Sequence, residues 1–152
     1  MNTISVRKAA EADIKELAVL FDEYRQFQQQ SSDLLAAHAF LLERFNRAES
    51  VLFACYEDDA PSGFAQLYPI FSSVSLSPVF ILNDLFVKKS SRGKGIATLL
   101  LSEIELFAWS LGVSRITLNV AVQNYSARAL YEHRGWKQDD QYFMYHCFPK
   151  GS

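Results

Sequence analysis

The chain has 152 residues, a formal net charge of −2, 49% hydrophobic and 21% charged residues. This predicts a single domain, 1–152, with a sizeable core, and the small net charge argues against general nucleic-acid binding. No stretch approaches the ~20 apolar residues of a membrane-spanning helix, the N-terminal residues lack a signal peptide's apolar run, and Cys55 and Cys147 stand far apart in strand-like contexts, so the expectation is a cytoplasmic protein with reduced thiols and no membrane partner.

In chain order, Thr3 to Lys8 alternates as a short strand. A helix begins over Ala9 to Asp13, with Glu11 and Asp13 in its first turn as the helix dipole favours, and its apolar stripe is Ile14, Leu17, Leu20 or Phe21, Tyr24 and Phe27. Ser32 or Asp33 caps a second helix with Leu34, Leu35, Phe40, Leu41 and Phe45 on its face. Val51 to Tyr56 and Gly63 to Phe71 read as two strands of a hairpin around the turn-forming run Glu57 to Gly63. A serine-rich loop, Ser72 to Pro78, leads into Phe80-Ile81-Leu82 and Leu85-Phe86-Val87, a buried strand. The next helix carries Ile96, Leu100, Ile104, Phe107 and Leu111 on one face and stops at Gly112. Val113 to Val122 reads as a strand with Ile116, Leu118 and Val120 on one face. Asn124 caps a helix that ends at Gly135, and Trp136 with the aromatic run Tyr142 to Phe148 makes the final strands. The order β-α-α-β-β-β-α-β-α-β-β is a mixed α/β arrangement around a central sheet.

The most informative stretch joins the buried strand to the long helix. A helix N-terminus carries partial positive charge and unpaired N–H groups, so acids suit its first turn. This helix has Lys88, Lys89, Arg92 and Lys94 around its start and no acid until Glu103. An anion docked on those N–H groups accounts for the pattern, because glycines let a phosphate approach the backbone closely. A solvated basic turn is the plainer alternative. Gly93-Lys94-Gly95 lacks the spacing of a nucleoside-triphosphate loop and the Ser or Thr after its Lys. Position 98 is Thr where a dinucleotide fingerprint needs its third glycine.

A third phosphate motif matches. Arg92-Gly93-Lys94-Gly95-Ile96-Ala97 resembles the R/Q-x-x-G-x-G/A signature of the GNAT superfamily of acetyltransferases, and Asp84-Leu85-Phe86-Val87 resembles its central strand. Asn124 to Trp136 resembles the family's second motif, N-x-x-A-x-x-L-Y-x-x-x-G-[FW]. The resemblance implies a mixed α/β (α+β) fold: a mostly antiparallel sheet of about six or seven strands, splayed at the cofactor site and flanked by about four helices. It implies acetyl-CoA as co-substrate. The backbones of Leu85, Phe86 and Val87 would pair with the pantetheine arm, and Arg92, Gly93, Lys94, Gly95, Ile96, Ala97 and Thr98 would hold the pyrophosphate, with Asn119, Asn124 and Ala127 completing the contacts. It also implies direct transfer to an amine in a ternary complex, Tyr131 protonating the departing thiolate.

Asn83 stands where relatives resembling polyamine acetyltransferases carry a glutamate base. Strand alternation points Asp84, the nearby carboxylate, away from the face of Asn83 and Leu85, leaving it a structural or acceptor-pocket role. A water relay or an already neutral amine serves equally well. The acceptor pocket is expected between the first two helices and the hairpin, with Tyr24, Gln28, Asn83 and Asp84 as candidates beside Arg25, Phe27 and Tyr68. His38, His133 and His146 have no metal-ligand spacing, and no metal is expected. The partners implied are acetyl-CoA and a small-molecule amine. The run Tyr142 to Phe148, as a sheet edge, would make a homodimer. A noncatalytic acyl-CoA-sensing domain and a protein-lysine acetyltransferase with an open acidic groove are the alternatives.

Overall fold

The structure, a computed structural model, describes residues 3–151. Met1, Asn2 and Ser152, the ends of the expected single domain, lie outside the described residues. The chain divides into two compact units, Met1–Asn119 and Val120–Ser152.

The first unit is built on a mixed sheet. Strands β1 (Ile4–Lys8), β2 (Val51–Glu57), β3 (Ala60–Ser72) and β4 (Ser77–Val87) pair antiparallel in that order, and β5 (Ile116–Thr117) joins β4 in parallel. Helices α1 (Ile14–Phe27) and α2 (Leu34–Asn46) cover one face. Ile14, Leu17, Leu20 and Phe21 of α1 and Ala37 and Leu41 of α2 form one core with Leu52, Ala54, Tyr56, Phe64 and Phe86 of the sheet. Helix α3 (Ile96–Ser110) packs on the strands with Ile96, Leu100, Leu101, Ile104 and Ala108 buried. Asp33 is the cap of α2, accepting from the Ala36 N–H at 3.1 Å.

Some helix faces differ from those expected. On α2 the buried positions are Ala37 and Leu41, while Leu35 is 86% exposed. Ala37 and Leu41 stand on the side of α2 that packs against α1 and joins the common core, and bulk at positions 34 and 35 falls outside that contact. Leu111 is likewise exposed, lying beyond the end of α3. Phe107 packs its ring against Phe53 and Phe80.

Five strands form among the described residues rather than six or seven. The strand expected over 113–122 shrinks to Ile116–Thr117. The run Tyr142 to Phe148 forms no strand, leaving Cys147 exposed outside any strand while Cys55 is buried in β2. Aromatic content favours a pleated surface only where one face is buried, and Tyr142, Phe143, Tyr145 and Phe148 are all exposed.

A bulge in β4 has the largest consequence for the site. Gln66 pairs with Asp84 and Leu67 with Leu82, so Asn83 has no partner on β3. An extra residue switches which face each following side chain occupies. Phe86 meets the rings of Tyr24 and Phe64 on the α1 face. Phe80, six positions earlier and of the same parity, stacks on Phe107 of α3. The two rings therefore serve opposite faces of one strand.

Two carboxylates tie the helices down. Asp22, buried on α1, accepts from Ser32 Oγ at 2.6 Å and from the Asp33 N–H at 2.8 Å, joining the end of α1 to the start of α2. The hydrogen bond from Ser32 lowers its carboxyl below the ordinary value. Asp13 is lowered foremost by its hydrogen bonds from Arg7. A depressed folded-state value contributes stability that is present above about pH 4 and lost as protonation proceeds below it. The denaturant midpoint is expected to fall on acidification from pH 5 to pH 3, and Asp22→Asn to flatten that dependence. A slope unchanged by this substitution would remove Asp22 from the account.

Gly63 on β3 lies tight against α3 and the neighbouring strand. A Cβ there would meet the Phe86 carbonyl oxygen at 3.0 Å and Ile96 Cγ2 at 3.1 Å. Gly63→Ala is expected to lower unfolding stability by about 1–3 kcal/mol through overpacking, read by chemical denaturation. A wild-type midpoint would show that α3 yields at no cost.

The second unit contains helix α4 (Tyr125–His133), capped by Asn124, whose side chain accepts from the Ala127 N–H at 3.3 Å. After it the chain turns back, the Trp136 N–H bonding the Tyr131 carbonyl at 3.0 Å while the two rings pack 5.7 Å apart.

Candidate acyl-CoA and acceptor sites

The start of α3 has the features of an anion site. Gly95 is its N-cap at φ 79°, Gly93 sits at φ 83°, and no side chain caps the helix. These left-handed positions favour glycine. A Cβ on either would meet nothing within 4 Å, so the space above the loop is open. The first backbone bond of α3 runs from the Leu99 N–H to the Gly95 carbonyl, and the N–H groups ahead of it have no helical acceptor.

The cations around the loop do different work. Arg92 Nε donates to the Val87 carbonyl at 3.0 Å while its guanidinium lies over the rings of Phe27 and Phe86. Lys94 Nζ pairs with Glu57 Oε2 at 2.7 Å. These two brace the loop against β4 and β2, and Lys88 and Lys89 are exposed to solvent. The loop's attraction for an anion thus rests largely on backbone N–H groups.

Beside the loop, β4 has an unpaired stretch. Its pairing with β5 covers only Phe80↔Ile116 and Ile81↔Thr117. From Leu82 onward β4 has no parallel partner strand among the described residues, so one edge of Leu85, Phe86 and Val87 is free of strand pairing. The resemblance implies a splay at this point, and β4–β5 pairing stops short of these three residues. Asn119 is exposed at the end of the first unit.

A cavity of about 420 Å³ opens on the α1 and α2 side of the sheet. Phe21, Tyr24, Arg25, Ala36, Ala37, Phe40, Tyr68, Asn83 and Asp84 line it. Asp84 is 5% exposed and accepts from Gln66 Nε2 at 2.7 Å and Asn83 Nδ2 at 3.1 Å, with a further hydrogen bond from Tyr24. Burial nevertheless pushes its carboxyl above the ordinary value. The Tyr68 phenol is pushed up to about 12, first by burial and then by the Asp84 charge.

The bulge explains how this cavity gathers both Asn83 and Asp84. Alternation alone sends them to opposite faces; the extra residue lets both line one pocket. Tyr24 joins them, whereas Gln28 caps the C-terminus of α1 and is not a lining residue. Gln66, fully buried and holding Asp84, escaped the sequence reading. A lone glutamine within Phe64-Ala65-Gln66-Leu67 was the available signal, since a buried amide needs a partner.

In the second unit, burial raises the Tyr131 phenol above its ordinary value. Among the described residues no cluster of three His, Cys, Asp or Glu could hold a metal, and no helix is long and apolar enough to cross a membrane.

This fold and loop define an acetyltransferase, and comparison with known proteins places the chain in a family. The sequence model of the acetyltransferase (GNAT) family matches residues 14–136, so the chain belongs to that family. It is 42% identical over 144 residues to YhfO of Bacillus subtilis strain 168, described as an uncharacterized N-acetyltransferase, with 95% of this chain and 96% of the relative covered. The crystal structure of a probable acetyltransferase superposes with a TM-score of 0.92 at 33% identity, covering 97% of this chain and 99% of that one. An aminoglycoside N-acetyltransferase solved in complex with CoA shares the fold at 17% identity and a TM-score of 0.80, covering 97% of this chain and 96% of its own.

Proposed function

We propose that this chain transfers an acetyl group from acetyl-CoA to a primary amine, with both held in one ternary complex. The observation that carries the reading is the strand-free edge of β4 running into the glycine loop and the uncapped start of α3. Leu85, Phe86 and Val87 would offer backbone groups to the peptide-like pantetheine arm. The N–H groups of Gly93 to Thr98 would take the pyrophosphate, with Arg92 and Lys94 holding the loop in shape. Asn119, Asn124 and Ala127 are assigned to the cofactor on the family resemblance.

In the transfer the amine nitrogen bonds to the thioester carbonyl carbon as the carbon–sulfur bond breaks. The amine gives up one proton and the departing thiolate takes one. Asp84 is the acceptor for the first, directly or through water: its raised value brings a carboxylate closer to the neutral range where a base is effective. Tyr131, kept protonated by burial, supplies the second on the strength of its place in the second motif. The test is an amine panel followed by free-thiol release from acetyl-CoA. Acetylated product is expected; silence across the panel with intact acetyl-CoA binding would favour a noncatalytic acyl-CoA-binding domain.

The reading includes a homodimer. Tyr142, Phe143, Tyr145 and Phe148 are all more than 70% exposed within one short run, and a second copy packed against that run would take part of this apolar surface out of water. Light scattering is expected to give twice the monomer mass, and Tyr145→Asp to shift it to the monomer. A monomer for the unaltered protein at micromolar concentration would end this part of the reading.

A further inference from the structure

We infer that the cavity between α1, α2 and the β4 bulge takes a small primary amine with a single positive charge and an apolar or aromatic body, its ammonium seated on Asp84. The inference rests on the acceptor reading just given and narrows it from primary amines at large to monocationic ones. At about 420 Å³ the cavity lies near the small end of the range for ligand sites. Phe21, Tyr24, Phe40 and Tyr68 wall it, while Ala36 and Ala37 keep space open between the rings. Aromatic faces hold an apolar body and also attract a cation.

The polar groups narrow the class further. An alkylammonium has three donors and no acceptor. Asp84 is the carboxylate lining the cavity, and Asn83 Oδ1 remains available beside it, its amide Nδ2 being given to Asp84. Gln66, Tyr24 and Asn83 all donate to Asp84, so the carboxylate is held in position before any ligand arrives. Arg25 is the other charged group lining the cavity. A second ammonium on the ligand would find no second carboxylate among the lining residues and would meet a like charge at Arg25. Polyamines and aminoglycosides, which are polycations, are therefore disfavoured, and a lysine side chain within a peptide would have to bring its backbone past the rings.

The test compares 2-phenylethylamine, spermidine, kanamycin and a lysine-containing peptide, each by thiol release from acetyl-CoA and by calorimetric titration of the amine alone. A parallel acetyl-CoA titration reports the cofactor site. 2-Phenylethylamine is expected to have the highest kcat/KM. Asp84→Asn is expected to weaken its binding roughly ten- to a hundredfold, the range for a hydrogen bond to a charged group, with acetyl-CoA affinity unchanged. Arg25→Glu is expected to raise spermidine turnover relative to 2-phenylethylamine at least severalfold. Preference of the unaltered protein for spermidine, kanamycin or the peptide would overturn the inference while leaving the acetyltransferase reading intact. So would Asp84→Asn that binds 2-phenylethylamine normally, or, should that variant misfold, Arg25→Glu with unaltered selectivity. Failure of the unaltered protein to bind acetyl-CoA would instead overturn the underlying reading.

Discussion

Gly95→Glu is expected to abolish acetyl-CoA binding. Gly95 caps α3 at φ 79°, and its missing side chain leaves open space at the helix N-terminus. A glutamate there does three things at once. It strains a left-handed position by roughly 1–2 kcal/mol, it fills space that a phosphate needs, and it places a carboxylate near the N–H groups and positive dipole end that would attract the pyrophosphate. The mutant would in effect carry its own competing anion. Gly95→Ala carries the strain without charge or reach, and is expected to keep measurable binding. Calorimetric titration with CoA separates the two. A normal titration of Gly95→Glu would overturn the pyrophosphate assignment, and equal loss in both variants would trace the effect to backbone strain alone.

Tyr131→Phe is expected to lower kcat by roughly ten- to a thousandfold, within reach of what a positioned general acid supplies, with acetyl-CoA affinity nearly unchanged. The substitution removes only the hydroxyl, so the ring packing against Trp136 at 5.7 Å is retained. The pH profile distinguishes chemistry from packing. Burial moves the Tyr131 phenol upward, so the proton needed for the leaving thiolate is present throughout the neutral range and is lost only above the ordinary phenol value near ~10. The unaltered enzyme should therefore show no loss from this group below that value. An alkaline limb that survives in Tyr131→Phe belongs to another residue. Unchanged turnover in the variant would remove Tyr131 from the mechanism.

These two predictions concern features that local sequence carries. The glycines of the loop, the apolar positions Ile96, Leu100 and Ile104, and the Asn124 cap each act within a few residues of where they are written. Their outcome depends on backbone geometry and helix periodicity, which neighbours in the chain dictate. The cavity lined by Asn83 and Asp84 is different. Alternation along β4 separates Asn83 from Asp84, and only the missing partner for Asn83 on β3 brings both to one pocket. A bulge is a property of two strands in register, so neither strand announces it alone.

The same distinction accounts for the other departures. The aromatic run Tyr142 to Phe148 has strand composition yet stays exposed, because a strand requires a pairing edge and a buried face. Leu35 is apolar yet solvent-facing, because α2 packs on α1 and turns Ala37 and Leu41 into the core. Arg92 and Lys94 read as phosphate ligands, and the contacts they make with the Val87 carbonyl and with Glu57 come only from the folded chain. The sequence by itself determined the loop, the helix it starts and the family, since those are local and periodic. Tertiary structure decided which carboxylate lines the cavity and what surrounds it, since strand register and helix packing bring together residues far apart in the chain.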